Sequence, residues 1–136
     1  MTILDKPITR EELCADYNHH FDDMIKGVVD VSARTLAIDA ELHADLESLL
    51  LSNGAVQENL WGINLWPEET GEDFVEFDSL INIRPWQGNR GRDVYDPAIR
   101  QQIIEVVSQW IKRTFSIRIW RTGAGQKCRL QSRWAM

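Results

Sequence analysis

The sequence is short of several things, and each shortage removes a class of protein. Only two cysteines occur, Cys14 and Cys128, among 136 residues. Two cysteines cannot build the framework that holds small secreted domains together, so a reduced, cytoplasmic setting is expected. Cys14 lies beside an apolar stripe and reads as a small core residue rather than a nucleophile. No apolar run approaches the roughly 20 residues that span a bilayer, so no membrane association is expected. The opening MTILDKPITREEL has no basic stretch followed by an apolar core, which is the pattern of a secretory leader. There is no internal repeat and no low-complexity tract. No Ser–His–Asp or Cys–His pattern marks a nucleophile. The glycines of Gln87–Arg92 (QGNRGR) lack the spacing of a P-loop or a dinucleotide fingerprint.

Acids are missing from one end only. Residues 1–111 carry all 21 acids and 8 of the 15 bases, a net charge of −13, whereas residues 112–136 carry 7 bases and no acid. An acidic body repels a phosphate backbone, while a basic tail is drawn to one, or to the body itself. The expected division is therefore one α+β domain over residues 1–111 and a basic C-terminal extension over 112–136. The extension is read as a loose β-hairpin or a disordered segment. Hydrophobic residues make up 43% of the chain, enough for one core without metal or disulfide support.

What is present is a clear alternation of elements. Ile3–Leu4 reads as a short edge strand. Thr9 and Glu12 have the spacing of a capping box, and Ile8 can staple onto Leu13. Leu13, Tyr17, Phe21 and Met24 then recur at helical spacing, which predicts a helix ending at Gly27. That helix includes His19 and His20, which diverge too far to share a metal. Val28–Val31 and Thr35–Ile38 predict a first hairpin. Asp39 is placed to cap a second helix over about Ala40–Ser52, with Leu42, Leu46, Leu49 and Leu50 as its buried stripe. Leu60–Trp66 and Phe74–Arg84 predict a second hairpin around the acidic connector Pro67–Asp73. Asp96-Pro97 opens a third helix with a broad apolar face. The expected fold is α+β: a small antiparallel sheet of about four strands in two hairpins, covered on one face by three helices.

On the second hairpin, period two puts Asn64, Glu76, Asn82 and Arg84 on the face away from the helices. That row makes a candidate binding surface, since asparagine is a poor strand former and two occur in mid-strand. With the QGNRGR turn it gives Asn64, Asn82, Arg84, Gln87 and Asn89 as ligand-binding candidates, suited to a protein partner or a small anion. His43 and Glu47 are four apart on the second helix and share a face. With Arg84 they form the catalytic candidates, either as two ligands of a divalent metal or as a general base with its orienting acid. No third ligand is evident, and no cofactor is apparent. In the tail, Arg118, Arg121, Lys127, Arg129 and Arg133 alternate with apolar residues and tryptophans, a composition suited to single-stranded nucleic acid. Trp66, Trp86 and Trp120 are candidate interface anchors.

The segments ELHAD (Glu41–Asp45), LWGINL (Leu60–Leu65) and SLINIRPWQGN (Ser79–Asn89) together resemble a small bacterial and cyanobacterial family described as a domain of unknown function. The resemblance covers roughly residues 1–111. It implies one structural unit over that span and brings no activity, cofactor or catalytic residue. A non-catalytic binding or interaction module is the leading expectation. The alternatives are a metal- or acid–base-dependent hydrolase or nuclease centred on His43, Glu47 and Arg84, and a nucleic-acid binder working through the tail.

Overall fold

At the centre lies strand β3 (Ile25–Asp30), hydrogen-bonded on both edges. The structure is a computed structural model, and it describes residues 1–112. On one side β3 pairs with β4 (Thr35–Ile38), and β1 (Thr2–Ile3) lies outside β4. On the other side it pairs along its full length with β5 (Leu60–Leu65), from Ile25 opposite Leu65 to Asp30 opposite Leu60. Strand β6 (Val75–Glu76) closes that edge. The order is β1-β4-β3-β5-β6, and every pair is antiparallel. A separate parallel pair joins β2 (Ile8–Thr9) to β7 (Ile111–Lys112).

Side-chain alternation divides this sheet between two cores. Ile25, Val29, Leu36, Ile38, Trp61, Ile63 and Leu65 point to one face, with Leu13 of helix α1 (Arg10–Asp16) and Ile103, Val106 and Val107 of helix α3 (Pro97–Trp110). Val28, Ala37 and Leu60 point to the other, with Leu46 and Leu50 of helix α2 (His43–Ser52). The fold is therefore α+β with three helices, as expected, but the main sheet has five strands and helices lie on both faces. The cause is visible in LWGINL, where all six residues are buried. A strand without an exposed position cannot have a water-facing side.

Local signals set several element ends. Thr9 and Glu12 form the capping box, with Thr9 Oγ1 accepting from Glu12 N at 3.1 Å and Glu12 Oε1 accepting from Thr9 N at 2.9 Å. Asp96 caps α3 through Ala98 N at 2.9 Å, ahead of Pro97. In the β3–β4 turn, Asp30 Oδ1 accepts from the amides of Ser32 and Ala33. Trp110 Nε1 donates to Arg34 O at 2.8 Å and ties that turn to the end of α3.

Three predicted elements differ. Helix α1 ends at Asp16, well before Gly27. Asn18 bonds the carbonyl of Asp22, and residues from Ile25 on are drawn into the ladder with β5. Gly27 is thus a mid-strand residue, with a Cβ there meeting Ile63 and Leu36 side chains at 3.4 Å. His19 and His20 consequently lie in a loop, where His19 engages the buried Asp39 carboxylate through its backbone amide and Nδ1. Helix α2 starts at His43, so Asp39, at φ +74°, is a loop residue and not its cap. The Phe74–Arg84 arm is a strand only at Val75–Glu76. It continues as two single 3₁₀ turns, Leu80–Asn82 and Pro85–Gln87, because Ser79 caps the first through Ile81 N and Pro85 opens the second. The expected extension, with Arg118, Arg121, Lys127, Arg129 and Arg133, lies outside the described residues from position 113 onward.

Candidate functional site

The polar residues singled out in the sequence gather on the α2 side of the sheet, around β5 and the loop of residues 77–96. Helix α2 buries His43, Leu46 and Leu50 and leaves Glu47 half-buried. The His43 ring sits against β5, with Nε2 2.8 Å from the carbonyl oxygen of Ile63. A carbonyl can only accept, so Nε2 carries the proton. Burial lowers the His43 pKa from 6.5 to about 4, helped by the charge of Lys26 and opposed by the Ile63 carbonyl, Asn64 and Asp78. At neutral pH this imidazole is neutral, and it serves as a strut between helix and strand. Beside it, Asn64 Nδ2 donates to Glu76 Oε1 at 2.9 Å. The same oxygen accepts from Trp66 Nε1 at 3.0 Å, which ties the end of β6 to the residue that follows β5.

Asn82 is fully buried and pairs with the backbone of Gly62 as another strand would. Its Oδ1 accepts from Gly62 N at 2.8 Å, and its Nδ2 donates to Gly62 O at 3.0 Å and to Arg92 O at 2.9 Å. The glycine is required, since a Cβ at position 62 would lie 2.6 Å from both Cβ and Oγ of Ser79. Asn89 Nδ2 donates to the carbonyls of Asn82 and Asp93 at 2.8 and 2.7 Å, while Oδ1 accepts from Tyr95 N at 3.0 Å. Two amide side chains therefore fix the path of the chain from Asn82 to Tyr95. Arg84 completes the clamp. Only 1% exposed, it donates to the carbonyls of Gln57 and Leu60 and stacks 4.0 Å above the Trp61 ring. Burial lowers its pKa from the ordinary value, and the charge of Glu47 opposes that shift. Backbone pairing of Arg84 with Asn89, at 2.7 and 3.1 Å, closes the turn between them.

The structure thus brings His43 beside Asn64, and Glu47 within the electrostatic reach of Arg84, in the zone the sequence marked. Gln87 stays at the exposed end, donating to Glu58 O at 3.1 Å. What these groups do chemically is hold backbone. Glu47 Oε2 and Arg84 Nε alone in the Glu47–Arg84 pair are buried without a hydrogen-bond partner among the described residues. Among the described residues no three His, Cys, Asp or Glu side chains gather as metal ligands, and no helix is long and apolar enough to cross a membrane.

Sequence reading found only part of the other half of the site. The clamped loop carries Leu80, Ile83, Trp86 and Tyr95 with 66%, 37%, 74% and 57% of their surfaces exposed. Trp86 stood out as a tryptophan, but alternation placed Ile83 on an inward strand face. The usable signal was the Pro85 and Gly88 pair, which breaks a strand and starts a loop.

A family model described as "Protein of unknown function (DUF5674)" matches residues 2–110. The chain belongs to this family. The matched span runs from β1 to the end of α3, so the clamped loop and the α2 zone both fall within the DUF5674 unit. No curated protein and no solved structure matches the chain.

Proposed function

We infer that the protein is a non-catalytic binding module that recognises a protein partner through the loop of residues 77–96. One observation carries this reading. Leu80, Ile83, Trp86 and Tyr95 are exposed on a segment whose backbone is clamped from beneath by Asn82, Arg84 and Asn89. An exposed apolar side chain alone needs no explanation, but four on one loop, two of them aromatic, form the kind of surface that anchors interfaces. Fixed backbone matters as much, because a loop already ordered has less entropy to lose on binding. Trp86, the most exposed of the four, is the main anchor.

The test uses the full chain and its Leu80→Ser/Trp86→Ser double variant, each immobilised and exposed to a lysate of the source organism. Proteins held by the wild type are identified, purified and titrated against both forms. The double variant should keep its thermal midpoint, since surface changes lie within about 0.5 kcal/mol. Its affinity should fall by about 30-fold or more, the loss expected of a hot spot of about 2 kcal/mol. Equal affinity for both forms would remove the loop as the binding surface.

A further inference from the structure

The clamp beneath the loop holds three buried polar atoms without a hydrogen-bond partner among the described residues: Arg84 Nε, Trp61 Nε1 and Glu47 Oε2. Arg84 and Trp61 are 1% and 2% exposed, so bulk solvent does not serve them. Leaving such groups bare is costly, most of all on a charged side chain. The three belong to one neighbourhood. The Arg84 guanidinium lies 4.0 Å from the centre of the Trp61 ring. Its Nη1 and Nη2 donate to the carbonyls of Gln57 and Leu60, which leaves Nε as its open donor. Glu47 approaches from α2, near enough for its charge to act on Arg84. No direct ion pair joins them, since the ion pairs of the described residues are His19–Asp39, Arg92–Asp78 and Arg100–Asp93.

We propose that Glu47, Arg84 and Trp61 form a binding site for a single internal water molecule, which bridges the Arg84 guanidinium to the Glu47 carboxylate with Trp61 Nε1 as its third partner. A carboxylate facing a guanidinium across a gap is a place where water mediates the contact. The count of donors and acceptors selects the ligand. Arg84 Nε and Trp61 Nε1 can only donate, whereas Glu47 Oε2, as a carboxylate oxygen, can only accept. Water has a lone pair for each donor and a hydrogen for the carboxylate, which makes about three bonds, the usual number for a buried water. A halide would satisfy the two donors but meet Glu47 with like charge, and a metal cation would meet the guanidinium in the same way. Bound there, the water connects two opposite charges that do not touch and adds α2 to the groups that hold the loop. The site lies beneath the loop and does not depend on a partner above it, so the two readings stand or fall separately.

The experiment is a water-selective NOE measurement on the nitrogen-labelled full chain, with the Trp61 indole signal assigned by its loss in Trp61→Phe and the Arg84 Nε–H signal by its loss in Arg84→Lys. Both N–H groups of the wild type should show direct cross-peaks to water, of the sign that marks a residence time longer than molecular tumbling. Glu47→Met, which removes the acceptor at similar length, should lose both cross-peaks. A crystal structure of the wild type, grown in bromide, should show one peak within hydrogen-bond distance of all three atoms and no anomalous signal there. Absence of the cross-peaks in the wild type, or a protein carbonyl bonded to either nitrogen, would overturn the proposal. So would cross-peaks that persist unchanged in Glu47→Met, or a bromide at the site.

Discussion

Asn82→Ala is the substitution with the most to say about this fold. It removes three hydrogen bonds, to Gly62 N, Gly62 O and Arg92 O, at 2.8, 3.0 and 2.9 Å. The Gly62 groups are buried and the alanine methyl offers them nothing. Each bond is worth about 1 kcal/mol net, and a stranded buried group costs about 1–3 kcal/mol. Partial relaxation of the Arg92 carbonyl toward water limits the total to about 3–5 kcal/mol. Against a typical total stability of about 5–15 kcal/mol, that is a large share. At about 3–4 °C per kcal/mol for a domain of this size, the midpoint should fall by about 9–20 °C. Urea titration followed by tryptophan fluorescence gives the same quantity through the denaturation midpoint at unchanged slope. Gln87→Ala is the matched control, losing one exposed bond to Glu58 O, and should stay within about 0.5 kcal/mol. A loss below about 1 kcal/mol for Asn82→Ala at unchanged slope would refute the clamp, since the Gly62 backbone would then have found partners elsewhere.

Two further outcomes follow from the same zone. His43 has its pKa lowered from 6.5 to about 4 by burial, so the unfolded chain takes up the proton first as pH falls. The neutral ring's contribution is complete above pH 6.5 and is lost on the way down to about pH 4, a difference of about 3 kcal/mol. Urea unfolding of wild type and His43→Gln across this window should show the variant lacking that fall, and parallel curves would count against a buried neutral imidazole. Gly62→Ala places a methyl 2.6 Å from Ser79 Cβ and should destabilise by about 1–3 kcal/mol. Thermal unfolding of Gly62→Ala/Ser79→Gly should recover part of this, and strict additivity of the two changes would show that the crowding lies elsewhere.

How much of this was legible follows the range of the interactions involved. The Thr9–Glu12 box, the Asp96-Pro97 start of α3 and the Thr35–Ile38 strand are written within a few residues of chain, and both helix starts and that strand stand as expected. The run from Asn18 to Gly27 misleads because an apolar stripe at helical spacing continues into a segment that pairs with β5 across nearly forty positions. The Phe74–Arg84 arm misleads for a related reason. Its polar residues alternate as on an open strand, yet Asn82 and Arg84 take their partners from Gln57, Leu60 and Gly62, 20–27 positions upstream. Spacing along the chain reported their period and could not report their bonding. Exposure of Ile83 was hidden by the same alternation, which placed it on the inward face.

These two halves of the zone explain each other. An exposed Leu80 or Trp86 on a soft loop would fold down onto the nearest apolar surface and be lost to any partner. Here the space beneath is already filled by Asn82, Asn89 and Arg84, whose partners are backbone groups fixed within β5 and the loop itself. Moving the loop inward would strand several buried polar groups at once, each at a cost comparable to what burying one apolar side chain returns. On the proposed reading the buried polar residues act as positioning residues, and the apolar ones above them would make the contact. On this account a change at Asn82 weakens partner binding by loosening the loop. A change at Trp86 weakens it while leaving the fold intact, so stability and affinity measured on the two variants separate the roles.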